Sequence, residues 1–109
     1  MPYISINVTK KLSENEKQAL QLEVINNISI IPEKVPAHTT VCITDGCTMF
    51  KDGKPYEGGF VDVRLFKESP KDSKIAYSQK LFEVFTQTIG LPKENLHINY
   101  IQIFDWGTN

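Results

Sequence analysis

The sequence has few of the residues with which proteins bind nucleic acids or cross membranes. Arg64 is the one arginine among 12 basic residues, and 13 acidic residues bring the net charge of the 109-residue chain to −1. Nucleic-acid binding is disfavoured, because no basic stripe is available to displace counterions. No apolar run approaches the roughly 18 residues of a membrane span, and no signal-peptide pattern opens the chain. We therefore expect a soluble, cytoplasmic protein.

Cysteines and histidines are also scarce. Cys42 and Cys47 lie on a predicted strand and its exit turn, where five steps along a strand reverse the face, so no disulfide is expected between them. His38 and His97 are isolated histidines, for which we expect structural or solvent roles. There is no glycine-rich phosphate loop, nucleophile elbow, Cys-x-x-Cys or histidine pair at metal-ligand spacing. Nucleotide enzymes, triad hydrolases and metalloenzymes are disfavoured, and we expect no cofactor and no metal.

The first half of the chain has the pattern of a strand, a helix and a second strand. Apolar and polar residues alternate from Tyr3 to Val8, which indicates a half-buried strand. Ser13 and Glu16 form a capping box that predicts a helix to about Ile28. Apolar and polar residues alternate again from Thr39 to Thr44, which predicts the second strand. The expected core row of the helix consists of Leu20, Val24 and Ile28, with Ile25 beside it.

The second half repeats this order. Phe60 to Phe66 alternates, and Ser69 with Pro70 at the first helical position predicts a helix that runs to about Ile89. His97 to Phe104 forms the last predicted strand. The expected apolar side of this helix consists of Ile75, Leu81, Phe82, Phe85 and Ile89.

Together these elements predict a single domain spanning residues 1–109, with internal β-α-β repeats at about 2–44 and 60–104. The predicted fold class is α/β (α+β), a four-stranded mixed sheet with two helices on one face. Asp45-Gly46 and Asp52-Gly53 indicate a hairpin-like connection between the halves. The opposite sheet face is polar, and is either solvated or lines the interior of an assembly. Its residues are Ser5, Asn7, Thr40, Cys42, Asp62 and Arg64.

Pro2 is unusual because it directly precedes the first predicted strand. If Met1 is removed, Pro2 becomes a secondary amine at the start of a rigid element. A terminal amino group has a pKa near 7.7–8.0, and apolar surroundings or a nearby lysine lower it toward the range that suits a general base. The alternative is that the proline merely initiates an extended strand.

Several short motifs, taken in order, resemble the macrophage migration inhibitory factor (MIF) branch of the tautomerase superfamily over essentially the whole chain. They are Met1-Pro2-Tyr3-Ile4, Lys34-x-Pro36, Met49-x-x-x-Gly53 with Pro55, and Ile98-Asn99-Tyr100 with Trp106. The resemblance implies a tautomerase/MIF-like fold and a homotrimer whose sheets form a central barrel. It also implies active sites at subunit interfaces, an amino-terminal proline as the base and no cofactor.

The resemblance assigns roles to five residues. Pro2 matches the proton-transferring proline, and Lys34 matches the lysine that binds the substrate carboxylate and lowers the proline pKa. Phe66 occupies the strand-end position whose backbone contacts substrate, and Asn99 matches an asparagine from the adjacent subunit. His97 stands where relatives have a tyrosine beside the site, which implies a changed preference for aromatic substrates.

The function predicted on this basis is a phenylpyruvate tautomerase-like isomerase, a cofactor-free keto–enol tautomerase of small α-keto acids. One alternative is a MIF-like cytokine or non-catalytic binding protein that keeps the scaffold. A dehalogenase- or hydratase-like member of the superfamily ranks last, because such proteins typically add arginines and this chain has Arg64 alone. The Cys-x-x-Cys of the mammalian factor is absent near Gly59 to Asp62, so a thiol–disulfide activity has no residues to use.

Overall fold

The computed structural model describes residues 1–109 as an α+β fold, as predicted. Its elements are β1 (Tyr3–Val8), α1 (Glu14–Asn26), β2 (Thr40–Thr44), β3 (Phe50–Lys51), β4 (Lys54–Pro55), β5 (Gly59–Phe66), α2 (Lys71–Ile89) and β6 (Leu96–Ile103). Four strands form a mixed sheet in the order β2-β1-β5-β6. β1 pairs with β2 in parallel, β5 pairs with β6 in parallel, and β1 and β5 are antiparallel. β3 and β4 form the predicted hairpin.

The core lies between one face of this sheet and the two helices. Alternate residues of β1 and β5 point into it, which is why their sequences have a period of two. The residues that the strands and helices contribute include Ile4, Ile6, Val8, Val61, Val63, Leu65, Leu20, Val24, Tyr77, Leu81 and Phe85, all of them buried. The helices therefore cover a single face and leave the other open.

The first helix begins at the predicted capping box. The backbone N–H of Glu16 donates to Ser13 Oγ at 3.1 Å, and the backbone N–H of Ser13 donates to Glu16 Oε1 at 2.9 Å. α1 ends at Asn26, slightly before the predicted Ile28, and a short 3₁₀ turn follows. Ile28 stays buried within that turn, so the predicted core row of Leu20, Val24 and Ile28 is confirmed.

Two details predicted for the second helix are wrong. Pro70 is the extended N-cap, not the first helical residue, and no side chain caps the helix. Ser69 lies one residue before the N-cap, where its N–H donates to Gln102 Oε1 at 2.8 Å. Ile75 is 47% exposed and does not belong to the core. Two residues along a helix turn the side chain by about 200°, so the burial of Tyr77 directs Ile75 away from the sheet.

The second sheet face is uncovered in the single chain. Cys42 and Arg64 are exposed on it, and the Arg64 guanidinium lies 5.4 Å from the centre of the Tyr3 ring. Cys42 and Cys47 are both free thiols. Neither helix combines the length and the apolar composition that a bilayer span requires.

A single buried hydroxyl ties the two helices together. Tyr77 of α2 is fully buried, and its hydroxyl donates to the backbone carbonyl of Val24 in α1 at 2.7 Å. Burial, with a smaller contribution from Tyr100, raises the pKa of Tyr77, so the phenol stays neutral and remains a donor. The contact joins residues from the two halves of the chain.

We expect Tyr77→Phe to lower the free energy of unfolding by about 1–2 kcal/mol, because the Val24 carbonyl loses a buried partner. Tyr56→Phe is the matched control, since its hydroxyl makes an exposed contact at 3.5 Å and its loss should cost less than about 0.5 kcal/mol. Urea unfolding at one fixed protein concentration measures both. Equal losses of unfolding free energy in the two variants would show that the buried hydrogen bond stabilises the fold no more than the exposed contact does.

Candidate active site

The site begins at the end of β1 that carries Pro2. Pro2 is buried, and its carbonyl accepts a hydrogen bond from the N–H of Thr40 at 3.1 Å, which ties the chain start to β2. On its other side, β1 runs antiparallel to β5 with Tyr3 opposite Arg64, so Pro2 lies beside the end of β5. Phe66 is the last residue of β5. The register thus brings Pro2 and Phe66 to the same edge of the core.

Lys34 is held at this edge by one hydrogen bond. Its side chain is buried to 9% exposure, and its Nζ donates to the backbone carbonyl of Phe66 at 3.0 Å. Burying an ammonium group is costly unless it is hydrogen-bonded, so this contact fixes where the charge lies. The preceding Glu33 has a left-handed backbone with φ of 69°, and the Lys34 N–H donates to Ile31 at 3.2 Å in the same turn.

A cavity of about 480 Å³ opens over these residues. Its lining consists of Met1, Pro32, Glu33, Lys34, Phe66, Lys67, Glu68, Ser69 and Pro70. Met1 lies on the cavity surface, and Pro2, the next residue, does not. Removal of Met1 would therefore place the Pro2 nitrogen at the chain start that borders this cavity.

The electrostatics of the cavity favour a neutral amine. Partial burial lowers the pKa of the Met1 amino group, and the positive charge of Lys34 lowers it further. Both causes act on the protonated form, which is disfavoured by lost solvation and by a neighbouring like charge. An amine at this place is therefore more often unprotonated near neutral pH than a free terminal amine, as a general base requires.

Asn99 and His97 do not join this cluster within one chain. Both are exposed on β6, which β5 separates from β1. In the register of β5 and β6, Asn99 is paired with Asp62 and His97 is paired with Phe60. Phe60 in turn lies opposite Asn7 of β1. Asn7 is four residues, or about 13 Å, further along β1 than Tyr3. The structure brings together Pro2, Lys34 and Phe66, and leaves the other two candidates on a distant part of the sheet.

His97 belongs instead to an aromatic cluster. Its ring stacks on Phe60 with centroids 6.2 Å apart, and the Tyr56 hydroxyl lies 3.5 Å from its Nε2. Lys51 Nζ lies 5.3 Å above the Tyr56 ring. Of these residues, His97 alone was predicted from the sequence, because its two aromatic neighbours are far from it along the chain. The cluster is open to solvent in the single chain.

Lys67, which lines the cavity directly after Phe66, was not predicted from the sequence. Lys67 has a left-handed backbone, and no sequence rule marks a lysine for that conformation, which glycine and asparagine usually adopt. Its place at the end of a strand, next to a predicted site residue, was the one available signal.

The largest cavity, of about 640 Å³, lies elsewhere, beside α2 and β6. Several polar groups in its wall are already hydrogen-bonded: the Tyr100 hydroxyl contacts Ser78 Oγ and the Lys74 carbonyl, and Lys74 Nζ donates to Gln102. None of the five candidate residues lines it. No group of three His, Cys, Asp or Glu side chains in the chain is arranged to hold a metal ion.

Comparisons with solved structures confirm the fold predicted from the resemblance. The chain is similar to MIF2 of Leishmania major, with a TM-score of 0.85 and 18% identity over 100% of this chain and 94% of that one. The MIF-like protein of Entamoeba histolytica gives a TM-score of 0.86 and 17% identity, over 99% and 95% of the chains. A fused 4-OT symmetric trimer gives a TM-score of 0.86 and 14% identity, over 97% and 90%. No protein-family model and no curated protein sequence matches the chain.

We expect Lys34→Met to raise the pKa of the terminal amine in the chain that retains Met1, because one neighbouring positive charge is lost. The rise should be partial, since burial, the larger cause, remains. NMR titration of the amino group measures it, with the exposed Lys93→Met as the control. An unchanged amine pKa in Lys34→Met would show that Lys34 does not act on the chain start.

Proposed function

We propose that this chain is an enzyme of the tautomerase superfamily, a cofactor-free keto–enol tautomerase of small α-keto acids such as phenylpyruvate. The observation that carries the proposal is a chain-start amine with a lowered pKa beside the buried Lys34, in a cavity large enough for a small acid. The shared fold of MIF-like and 4-OT structures supports it.

The proposed base is the secondary amine of Pro2 after Met1 has been removed. While Met1 is present, the Pro2 nitrogen belongs to a peptide bond and has no basic lone pair. The Met1 amine lies one residue before Pro2, and Met1 as a whole residue is 46% exposed. Processing would move the terminal amine to the buried position of Pro2, nearer to the start of β1.

In the proposed reaction, Pro2 removes a proton from the carbon next to the keto group. The electrons of that C–H bond form the C=C bond, the carbonyl oxygen becomes an enolate, and a proton from water completes the enol, while Pro2 gives its proton to the hydroxide that is left. The reverse direction returns the proton from Pro2 to carbon. Lys34 would bind the substrate carboxylate as a charge-assisted pair. Phe66 contributes the carbonyl that orients the Lys34 ammonium.

We further propose that the enzyme acts as a homotrimer with its sites at subunit interfaces. β2 and β6 are unpaired sheet edges in the single chain, and such edges need partners or protection. A neighbouring subunit would then bring Asn99 and His97 to the cavity that contains Lys34. Asn99 would donate a hydrogen bond to the enolate oxygen or a ring substituent, and His97 would contact the substrate ring.

We expect the processed protein to convert phenylpyruvate between enol and keto forms, and the protein that retains Met1 to be at least about 100-fold slower, the contribution of a general base. Pro2→Ala should lose much of the activity but keep some, because a primary amine remains. Intact mass spectrometry paired with the enol–keto assay separates the forms. Equal rates with and without Met1 would exclude Pro2 as the base and favour a non-catalytic binding protein.

We expect sedimentation equilibrium at micromolar concentration to give three times the chain mass of 12.4 kDa. Asn99→Ala should lower kcat/KM by about 100-fold, the cost of removing one enolate donor, without changing that mass. Gln87→Ala, on the exposed side of α2, is the control and should change neither quantity. A monomer in solution would contradict both the trimer and the role of Asn99.

A further inference from the structure

Two Asp-Gly pairs lie in the connection between the halves of the chain. They are Asp45-Gly46 and Asp52-Gly53, and both glycines have left-handed backbones, with φ of 63° and 70°. In such a pair the glycine nitrogen can attack the carboxyl group of the preceding side chain, because glycine has no Cβ to obstruct the approach. The two pairs share this chemistry, and they differ in how the fold holds them.

The fold holds the first pair tightly. The Asp45 carboxylate accepts a hydrogen bond from the Leu12 N–H at 2.8 Å. The ammonium groups of Lys11 and Lys17 lie 3.8 and 3.9 Å from its oxygens. The Gly46 N–H donates to a backbone carbonyl at 3.1 Å, so the nucleophile of the pair is occupied as well.

These contacts also make Asp45 a poor electrophile. A carboxyl group loses its hydroxyl as water most readily when it is protonated, whereas a carboxylate repels a nucleophile. The hydrogen bond from Leu12 lowers the pKa of Asp45 more than desolvation raises it. The neighbouring charges of Lys11 and Lys17 lower this pKa further. Asp45 is therefore kept ionised, and ring closure at this pair is suppressed.

The second pair has none of these contacts. Asp52 and Gly53 form the exposed turn between β3 and β4, and Asp52 is also left-handed, with φ of 54°. No ion pair of the chain includes Asp52, and the Gly53 N–H donates to no backbone carbonyl. A Cβ placed at Gly53 would meet nothing within 4 Å. The electrophile and the nucleophile of this pair are both free to react.

The hairpin that carries the second pair is weakly held. β3 and β4 have two exposed residues each and pair only with each other. A short hairpin without buried side chains is marginally stable and opens locally at a low free-energy cost. Ring closure requires the turn to leave its native backbone angles, which this hairpin can do while the rest of the fold stays intact. Freeing Asp45 instead breaks a hydrogen bond and two ion pairs.

We propose that Asp52-Gly53 is a site of spontaneous isoaspartate formation, from which the fold protects Asp45-Gly46. The Gly53 nitrogen bonds to Cγ of Asp52, and the displaced hydroxyl leaves with the proton of that nitrogen as water, which gives a cyclic imide. A second water then adds to the main-chain carbonyl carbon of Asp52 and breaks its bond to the Gly53 nitrogen. The chain now runs through Cγ, the α-carboxylate is free, and the mass is unchanged.

Isoaspartate adds one carbon to the main chain of the turn that sets the hairpin register. The pairing of Lys51 with Lys54 is then lost, because it depends on the length of this turn. Lys51 Nζ is no longer held 5.3 Å above the Tyr56 ring, whose hydroxyl lies 3.5 Å from His97 Nε2. The modification thus changes the surroundings of the aromatic cluster.

Loss of cleavage by endoproteinase Asp-N measures the reaction, because this protease cleaves before aspartate and not before isoaspartate. After incubation of the folded protein at neutral pH, we expect cleavage before Asp52 to be lost at least about tenfold faster than cleavage before Asp45, the value of one charge-assisted hydrogen bond. In guanidinium chloride the two rates should become nearly equal. Equal rates in the folded protein, or an unchanged difference in the unfolded chain, would overturn the proposal.

Asparagine variants test the geometry without the difference in carboxyl pKa. Asp52→Asn and Asp45→Asn lose ammonia at the same ring closure, so deamidation raises the intact mass. Asparagine suits the left-handed backbone of position 52, so Asp52→Asn should fold. We expect it to deamidate at least about tenfold faster than Asp45→Asn, in which the Gly46 N–H stays bonded. Comparable deamidation rates would contradict protection by the fold.

Asp52→Gly is the control for the effect on the cluster, because it keeps a left-handed turn and cannot cyclise. We expect incubated wild-type protein to show a second set of Tyr56 and His97 NMR signals in proportion to its isoaspartate, and incubated Asp52→Gly to show one set. A second set in both proteins, or in neither, would refute the effect on the cluster. None of these measurements depends on tautomerase activity.

Discussion

The hydrogen bond from the Lys34 ammonium to the Phe66 carbonyl is the contact on which the site depends. It joins the turn after α1 to the end of β5, two segments 32 residues apart, and compensates the burial of a positive charge. At the chain start, burial lowers the pKa of the terminal amine and this charge lowers it further. In the proposed mechanism, this one interaction provides both an anchor for a carboxylate and an environment for a base.

The sheet topology explains why these groups meet. β1 is a central strand, paired with β2 on one side and β5 on the other, so the chain start is fixed from both sides. A terminal residue is usually mobile, and a base on a mobile terminus would lose the advantage of orientation. The same topology leaves β2 and β6 at the sheet edges, with Asn99 and His97 on an edge strand where a second chain can approach.

Much of the fold was predictable because it depends on local signals. The period-two strands and the Ser13–Glu16 capping box appear where predicted. The start of α2 was predicted one residue too early, because Pro70 is the extended N-cap residue and Ser69 before it is bound to Gln102, which is distant in sequence. Pro2, Lys34 and Phe66 were predicted from resemblance and lie together, but the left-handed backbone of Lys67 follows from tertiary contacts that no sequence pattern encodes.

The central claim is that the Pro2 amine is the base, and its titration tests this most directly. In the processed protein, with ¹⁵N-labelled proline, the pKa of Pro2 can be followed by NMR and compared with the acidic limb of kcat/KM against pH. The account predicts that both midpoints coincide and lie below about 8, the ordinary value for a terminal amine. A Pro2 amine that titrates at its ordinary value, or an acidic limb that does not follow it, would contradict the account.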